Sequence, residues 1–279
     1  MQKKKTVLDL QKMKADNRKI TMITAYDYSN ARLVDMAGID CVLVGDSLGM
    51  VVQGGEDTLS VTMEDMIYHG KCVHNGLQQA FLVVDMPFMS YQASVEQAVL
   101  NAGRLIKEGK AQAVKLEGGK AVLPQITAIT QAGIPVVAHL GLTPQSVHAL
   151  GGYKVQGRTE SAQQQLWDDA VAVQQAGASM LVLEMVPAPL AERISKDLDI
   201  PTIGIGAGVG CDGQVLVLQD LLGMNLGFTP KFLKRYATLE TDIVRAIQQY
   251  IKEVQELEYP SAEHSFGMGK QDLLLRKLY

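Results

Sequence analysis

The chain has 279 residues, of which 47% are hydrophobic, 20% charged and 5% aromatic, and it carries a formal net charge of -4. That composition describes a folded chain with a large core rather than a disordered one. An acidic balance speaks against a nucleic-acid partner, which usually reads a basic excess or stripe. No apolar h-region follows the opening MQKKK and no long apolar run occurs, so neither a secretory signal nor a membrane span is expected. Cys41, Cys72 and Cys211 lack C-x-x-C spacing, which argues against a disulfide framework or zinc site and fits a reducing cytoplasm.

In chain order, an N-terminal helical segment over residues 6–18 comes first. Apolar, β-rich runs then recur at 20–27, 41–46, 81–86, 113–118, 135–141, 180–186 and 201–208. Helical patterns lie between most of them. In 94–109, Val95, Ala98, Val99, Ala102, Leu105 and Ile106 repeat at three- and four-residue steps, and Gly109 ends the run. Residues 168–177 and 191–199 read the same way. Repeated strand-then-helix units predict a parallel sheet covered on both faces, which accounts for strands that are apolar almost throughout.

A weak eighth strand is placed around 223–230, which makes the predicted fold class α/β, a single-domain (β/α)8 TIM barrel over 1–279 with a tail at 267–279. The rival, a doubly wound open sheet, should carry G-x-G-x-x-G after its first strand, where this chain has TAYDYSNA. The later Gly204, Gly206 and Gly208 do not match that spacing and are read as close-packing glycines. Two long βα loops, after the second and fifth strands, are candidate substrate walls or subunit contacts.

The strand ends carry the functional signal. VLVGDSLGM runs from apolar strand into Asp46 and Ser47, and the pattern repeats with Asp85, with Lys115 and Glu117, with His139 and with Glu184. Each alone has a bland explanation as a turn initiator, an ion pair or a core histidine. Together they fall at the same end of five successive strands, where barrel side chains converge on one pocket. Asp46, Asp85 and Glu117 form a hard, oxygen-rich set suited to Mg²⁺ rather than zinc. A metal on the keto oxygen of a 2-oxo acid would acidify the neighbouring C–H and stabilise an enolate. Lys115 and Ser47 could hold the substrate carboxylate, and Glu184 remains as proton acceptor. The residues alone do not separate this reading from a Mg-dependent lyase or aldolase of the phosphoenolpyruvate/pyruvate barrel type.

TAYDYS, VLVGDSLGM, VKLEGG, HLGLTPQSV, GGYKVQGR, LVLEMVP, IGIGAG, DGQVLV and EHSF, spread over nearly the whole chain, closely resemble the ketopantoate hydroxymethyltransferase family. The resemblance implies a (β/α)8 barrel, a cytoplasmic homodecamer, one Mg²⁺ per subunit, and transfer of a one-carbon unit from 5,10-methylenetetrahydrofolate to 3-methyl-2-oxobutanoate, giving 2-dehydropantoate. Carried over, Asp46, Asp85 and Glu117 look like the metal ligands, Glu117 directly or through water. Asp46, Ser47, Asp85 and Lys115 look like substrate contacts, Glu184 looks like the proton acceptor, and His139 falls on a position near the site. The chain departs from the family at Ala138, where a glycine usually precedes the histidine, and in 227–236, which keeps only the Pro-Lys-Phe core of a late motif.

Overall fold

A computed structural model describes residues 4–225, 227 and 229–266 of the chain; the expected tail at 267–279 lies outside these. Eight parallel strands close into a barrel in sequential order: β1 Ile20–Thr24, β2 Cys41–Val44, β3 Phe81–Asp85, β4 Ala113–Glu117, β5 Val136–Gly141, β6 Met180–Glu184, β7 Thr202–Ile205 and β8 Gly213–Leu216. Closure is made by β8 against β1, with Ile20 opposite Gly213 and Ile23 opposite Leu216. The predicted barrel and its first seven strands are therefore present.

The eighth strand is a correction. It is GQVL at 213–216, not the 223–230 segment, of which residues 226 and 228 lie outside the described residues. The expected rhythm of one helix per strand fails here, because the chain passes from β7 to β8 through a short loop with no helix between them. Gly213 and Gln214 open the four-residue strand, so the apolar run VLVL at 215–218 lies only half within it.

The helices are α1 Val7–Ala15, α2 Tyr28–Met36, α3 Leu48–Val51, α4 Met63–Gly76, α5 Val95–Lys107, α6 Leu123–Gln131, α7 Val147–Leu150, α8 Glu160–Gln175, α9 Ala188–Asp197, α10 Leu218–Leu221 and α11 Leu239–Gln255. Their starts follow from local chemistry. Thr6 with Asp9 and Thr62 with Asp65 form reciprocal capping boxes on α1 and α4, and Ser94 caps α5 by accepting from the Gln97 N–H. Helix α5 then buries Ala98, Ala102 and Leu105 at four- and three-residue steps against the barrel. Complete burial of a leucine such as Leu105 stabilises the fold by about 1.5–3 kcal/mol.

Strand alternation divides the core into two layers, because successive side chains point to opposite faces. Val42, Val44, Leu82, Val84, Val114 and Leu116 pack outward against the helices. Cys41, Leu43, Phe81, Val83, Ala113, Val137, Met180 and Val182 fill the barrel, joined by Leu10 and Met13 of α1, which plug its N-terminal end. Lys14 fixes that plug through bonds to the Ser195 and Ile200 carbonyls at 2.7 and 3.0 Å and to Asp212 at 2.9 Å. Among the described residues no helix is long and apolar enough to cross a membrane.

The predicted glycine cluster is explained by packing. A Cβ at Gly204 would meet Cys211 Sγ at 3.0 Å, one at Gly206 the Phe232 ring at 2.9 Å, and one at Gly208 the Ala188 Cβ at 2.5 Å. Phe232 belongs to the 227–236 departure and so packs beside the β7 turn.

Candidate active site

The same alternation that fills the barrel with apolar groups delivers polar ones at its C-terminal mouth. On β4, Ala113 points inward, so Lys115 and Glu117 do too; on β5, Val137 is followed inward by His139; on β6, Met180 and Val182 are followed by Glu184; on β3, Phe81 and Val83 are followed by Asp85. Register then sets neighbours, with Asp85 opposite Lys115 and Glu117 opposite His139. Asp46 and Ser47 follow β2 directly, Ser47 standing at the start of α3. All the predicted site residues are thereby brought together. Ala138 belongs to the outer layer, on the face opposite His139, so this departure lies behind the site.

The contacts fall into two groups, one around Asp85 and one around His139. Lys115 Nζ lies 3.0 Å from Asp85 Oδ1, with both side chains at most 5% exposed. Asp85 Oδ2 accepts the Asp46 backbone N–H at 3.1 Å. His139 bridges two acids, its Nδ1 3.3 Å from Glu117 Oε1 and its Nε2 3.3 Å from Glu184 Oε2. Neither approach is aligned as a hydrogen bond, so Glu117 Oε1 and both ring nitrogens are buried polar atoms whose nearest partners are each other's charges. The Ser47 hydroxyl is bonded to the Tyr26 hydroxyl at 2.8 Å. Glu184 is the most open of the acids, its side chain 17% exposed. The chain turns sharply after it: Met185 adopts φ +48°, and Gly141, at φ +92°, lies so close that a Cβ there would meet the Glu184 carbonyl at 2.2 Å.

Burial dominates the electrostatics. Burial, reinforced by the charges of Asp85 and Glu117, pushes the Asp46 carboxyl up to about 8. Burial also raises Asp85, against the opposing pull of Lys115. The Glu117 carboxyl resists burial and sits below the usual range, because His139, Lys115 and the Gln145 N–H favour its anion. Burial and the Lys115 charge oppose an imidazolium at His139, but Glu117 and Glu184 outweigh them and raise it to about 9. Lys115 overcomes its own burial through Asp85, Glu117 and Asp46 and stays protonated.

Burial keeps a proton on Asp46 up to about 8 and raises Asp85, but with all four carboxyls, Asp46, Asp85, Glu117 and Glu184, ionised against one ammonium and one imidazolium, the mouth would carry a formal deficit of two positive charges. A divalent cation would supply that charge, and the donors are hard oxygens of the kind Mg²⁺ takes. Among the described residues no three acidic, histidine or cysteine side chains already converge on one point. The fit rests on the chemistry of the donors: a Mg²⁺ held by such carboxylates would complete its shell with water and substrate.

Three contributors escaped the strand-end reading: Gln145, Tyr91 and Tyr26. Gln145 lies 5% exposed in the 3-10 turn Pro144–Ser146 after β5 and bonds Asp46 Oδ2 through its side chain at 2.8 Å and Glu117 Oε2 through its backbone N–H at 3.0 Å. Tyr91, in the loop after β3, donates its hydroxyl to Gln145 Oε1 at 2.7 Å and accepts the Glu117 N–H at 3.1 Å. The available signal was a Pro-led turn carrying a polar residue within HLGLTPQSV, one of the two long βα loops.

A closed parallel barrel with acids, a lysine and a histidine converging at its C-terminal mouth defines a (β/α)8 enzyme. Solved structures share that fold: a 2,3-dimethylmalate lyase of the PEP mutase/isocitrate lyase superfamily aligns over 96% of this chain and 93% of its own with a TM-score of 0.59 and 17% identity. A phosphonopyruvate hydrolase in complex with oxalate and Mg²⁺ aligns over 93% of each chain with a TM-score of 0.60 and 13% identity.

The chain belongs to the ketopantoate hydroxymethyltransferase family, whose profile matches residues 4–262. The 3-methyl-2-oxobutanoate hydroxymethyltransferase of Enterococcus faecalis is 58% identical over 99% of this chain and 100% of its own length. That of Syntrophotalea carbinolica is 59% identical over 96% and 100%. The family resemblance read from the motifs is thus borne out.

Proposed function

We propose that the chain transfers a hydroxymethyl unit from 5,10-methylenetetrahydrofolate to 3-methyl-2-oxobutanoate, giving 2-dehydropantoate for pantothenate biosynthesis. The observation that carries this reading is the buried mouth that gathers Asp46, Asp85, Lys115, Glu117 and His139 beside one more open carboxylate, Glu184. Asp46 and Asp85 would hold a Mg²⁺, with Glu117 a further ligand directly or through water. When bound, that ion supplies a Lewis acid for the keto oxygen of the substrate.

The protein's own groups do the rest. Lys115 and the Ser47 hydroxyl hold the substrate carboxylate, with Asp46 and Asp85 close by, and Tyr26 orients the Ser47 hydroxyl. Glu184 accepts the proton from C3, a role worth roughly 10²–10⁴-fold in rate. Water takes the methylene carbon from N5 and N10 of the folate: both C–N bonds break, the water's two protons end on those nitrogens to give tetrahydrofolate, and its oxygen stays on the carbon as a carbonyl. The enolate C3 adds to that carbonyl carbon while the oxygen takes the proton held by Glu184 to become the hydroxymethyl group. His139 lies against Glu117 and Glu184 and contacts the substrate side of the site, fixing both acids in place.

The chain acts as a homo-oligomer, a decamer by its family, in the cytoplasm. Association is supported by α11, which has no buried residue and leaves Ile243, Ile247, Tyr250 and Ile251 each more than 40% exposed along one side. Three free cysteines suit a reducing compartment. The test is a mixture of protein, Mg²⁺ and both substrates, assayed for 2-dehydropantoate by mass spectrometry. Turnover of the 2-oxo acid that ignores folate would favour the lyase or aldolase reading instead.

A further inference from the structure

Gln145 has every hydrogen-bonding position of its side chain occupied. Its Nε2 donates to Asp46 Oδ2 at 2.8 Å and to the Met86 carbonyl at 2.9 Å. Its Oε1 accepts from the Tyr91 hydroxyl at 2.7 Å and from Gln92 Nε2 at 3.1 Å. The opposite orientation of the amide would set Oε1 against two acceptors and Nε2 against the Gln92 amide, so the network admits only one. The backbone N–H of the same residue donates to Glu117 Oε2 at 3.0 Å. One loop residue therefore grips carboxylates from β2 and β4 on opposite sides of β3.

The pattern of free oxygens gives the grip a meaning. Asp46 Oδ2 and Glu117 Oε2 are each taken by a donor of Gln145; Glu117 Oε1 faces His139 Nδ1 at 3.3 Å, whereas no hydrogen bond is made to Asp46 Oδ1 among the described residues. From this geometry we infer that Gln145 is a positioning residue of the metal site: it binds one oxygen of Asp46 and so leaves Asp46 Oδ1 for a divalent cation, while its backbone N–H holds Glu117 beside it with Oε1 against His139. The inference rests on the assignment of Asp46 and Glu117 proposed above and adds a residue that comes from a loop rather than from a strand end. Partners of metal-ligating groups matter at this scale, since their loss typically lowers metal affinity or activity by about 10- to 100-fold.

The test compares wild-type protein with Gln145→Met, which keeps the length of the side chain without its donors or acceptor, and with Asp46→Asn as control. Mn²⁺ binding to each metal-free protein is read from the free-ion signal in electron paramagnetic resonance, alongside kcat, KM for each substrate and the melting temperature. Gln145→Met is expected to weaken Mn²⁺ binding by roughly 10- to 100-fold and to lower kcat, with the KM for folate held. Wild-type Mn²⁺ affinity and kcat, with only a lowered melting temperature, would overturn the inference and leave Gln145 a packing residue. Wild-type Mn²⁺ affinity in Asp46→Asn would instead remove the metal assignment itself, and this inference with it. If Gln145→Met does not fold, Tyr91→Phe decides: it deletes the hydroxyl that orients Gln145, and unchanged Mn²⁺ affinity there overturns the inference equally.

Discussion

Replacing Glu184 by Gln should separate binding from chemistry. The change removes a charge but keeps the shape, and its structural cost is bounded by its contacts: one charged neighbour, His139 Nε2 at 3.3 Å, and a side chain 17% exposed. His139 keeps its second acid, Glu117, at 3.3 Å on the other ring nitrogen. Loss of one such partly solvated pairing costs about 1 kcal/mol of stability. Loss of a positioned base costs about 10²–10⁴ in rate, or roughly 3–5 kcal/mol of barrier. The two magnitudes are far enough apart to be read independently. In heavy water with Mg²⁺ and no folate, the wild-type protein should exchange the C3 proton of 3-methyl-2-oxobutanoate, followed by proton NMR. The variant should bind the same substrate by calorimetry yet exchange it at least about a hundredfold more slowly. Equal exchange in both proteins would refute the assignment and point to His139 as the base. Lost binding would make Glu184 a contact rather than a base.

Three further outcomes are expected. Asp46→Asn and Asp85→Asn should each lower activity and raise the Mg²⁺ concentration needed for it, since an amide keeps the shape but not the charge a hard dication requires; unchanged Mg²⁺ titrations would displace the metal site. Metal-free protein should lose stability as pH rises from about 6.5 to 8. Asp46 and His139 are raised to about 8 and about 9 in the folded chain, so both hold protons there that the unfolded chain has released, and each such proton costs about 1.4 kcal/mol per pH unit. Their contribution is full below the unfolded values and lost through the folded ones. A divalent ion at Asp46 displaces its proton, so the rise in melting temperature on adding Mg²⁺ should be larger at pH 8.5 than at pH 6, and an equal rise at both would contradict this. Finally, Gly141→Ala should destabilise the protein by several kcal/mol and reduce kcat, because its Cβ would meet the Glu184 carbonyl at 2.2 Å from a backbone at φ +92°. Thermal melts and steady-state kinetics read both effects.

Much of the site was legible because one rule generates it. Period-two alternation places Asp85, Lys115, Glu117, His139 and Glu184 inside the barrel directly above Val83, Ala113, Val137 and Val182, and an apolar run that ends in a polar residue shows this without coordinates. What the rule does not reach is anything carried by a loop. Gln145 enters from a turn whose path depends on Tyr91, Gln92 and Met86, three residues more than 50 positions away in sequence, and no periodicity reports such a contact. Strand β8 was missed for a different reason. Its burial is set by β1 and β7 on either side rather than by its own composition, so Gly213 and Gln214 are tolerated in a wall of the barrel. Ala138 shows the complementary case, a departure whose face, and hence its distance from the chemistry, follows from its place next to His139.

The central claim, that this mouth joins a folate one-carbon unit to a 2-oxo acid, is tested most directly by following the carbon. With 5,10-methylenetetrahydrofolate labelled with ¹³C at the methylene carbon, wild-type protein and Mg²⁺ should place the label in the hydroxymethyl carbon of 2-dehydropantoate, seen by carbon NMR, and the signal should vanish when either folate or the divalent ion is withheld. Consumption of the 2-oxo acid with no label in the product, or product formed at the same rate without folate, would contradict the account.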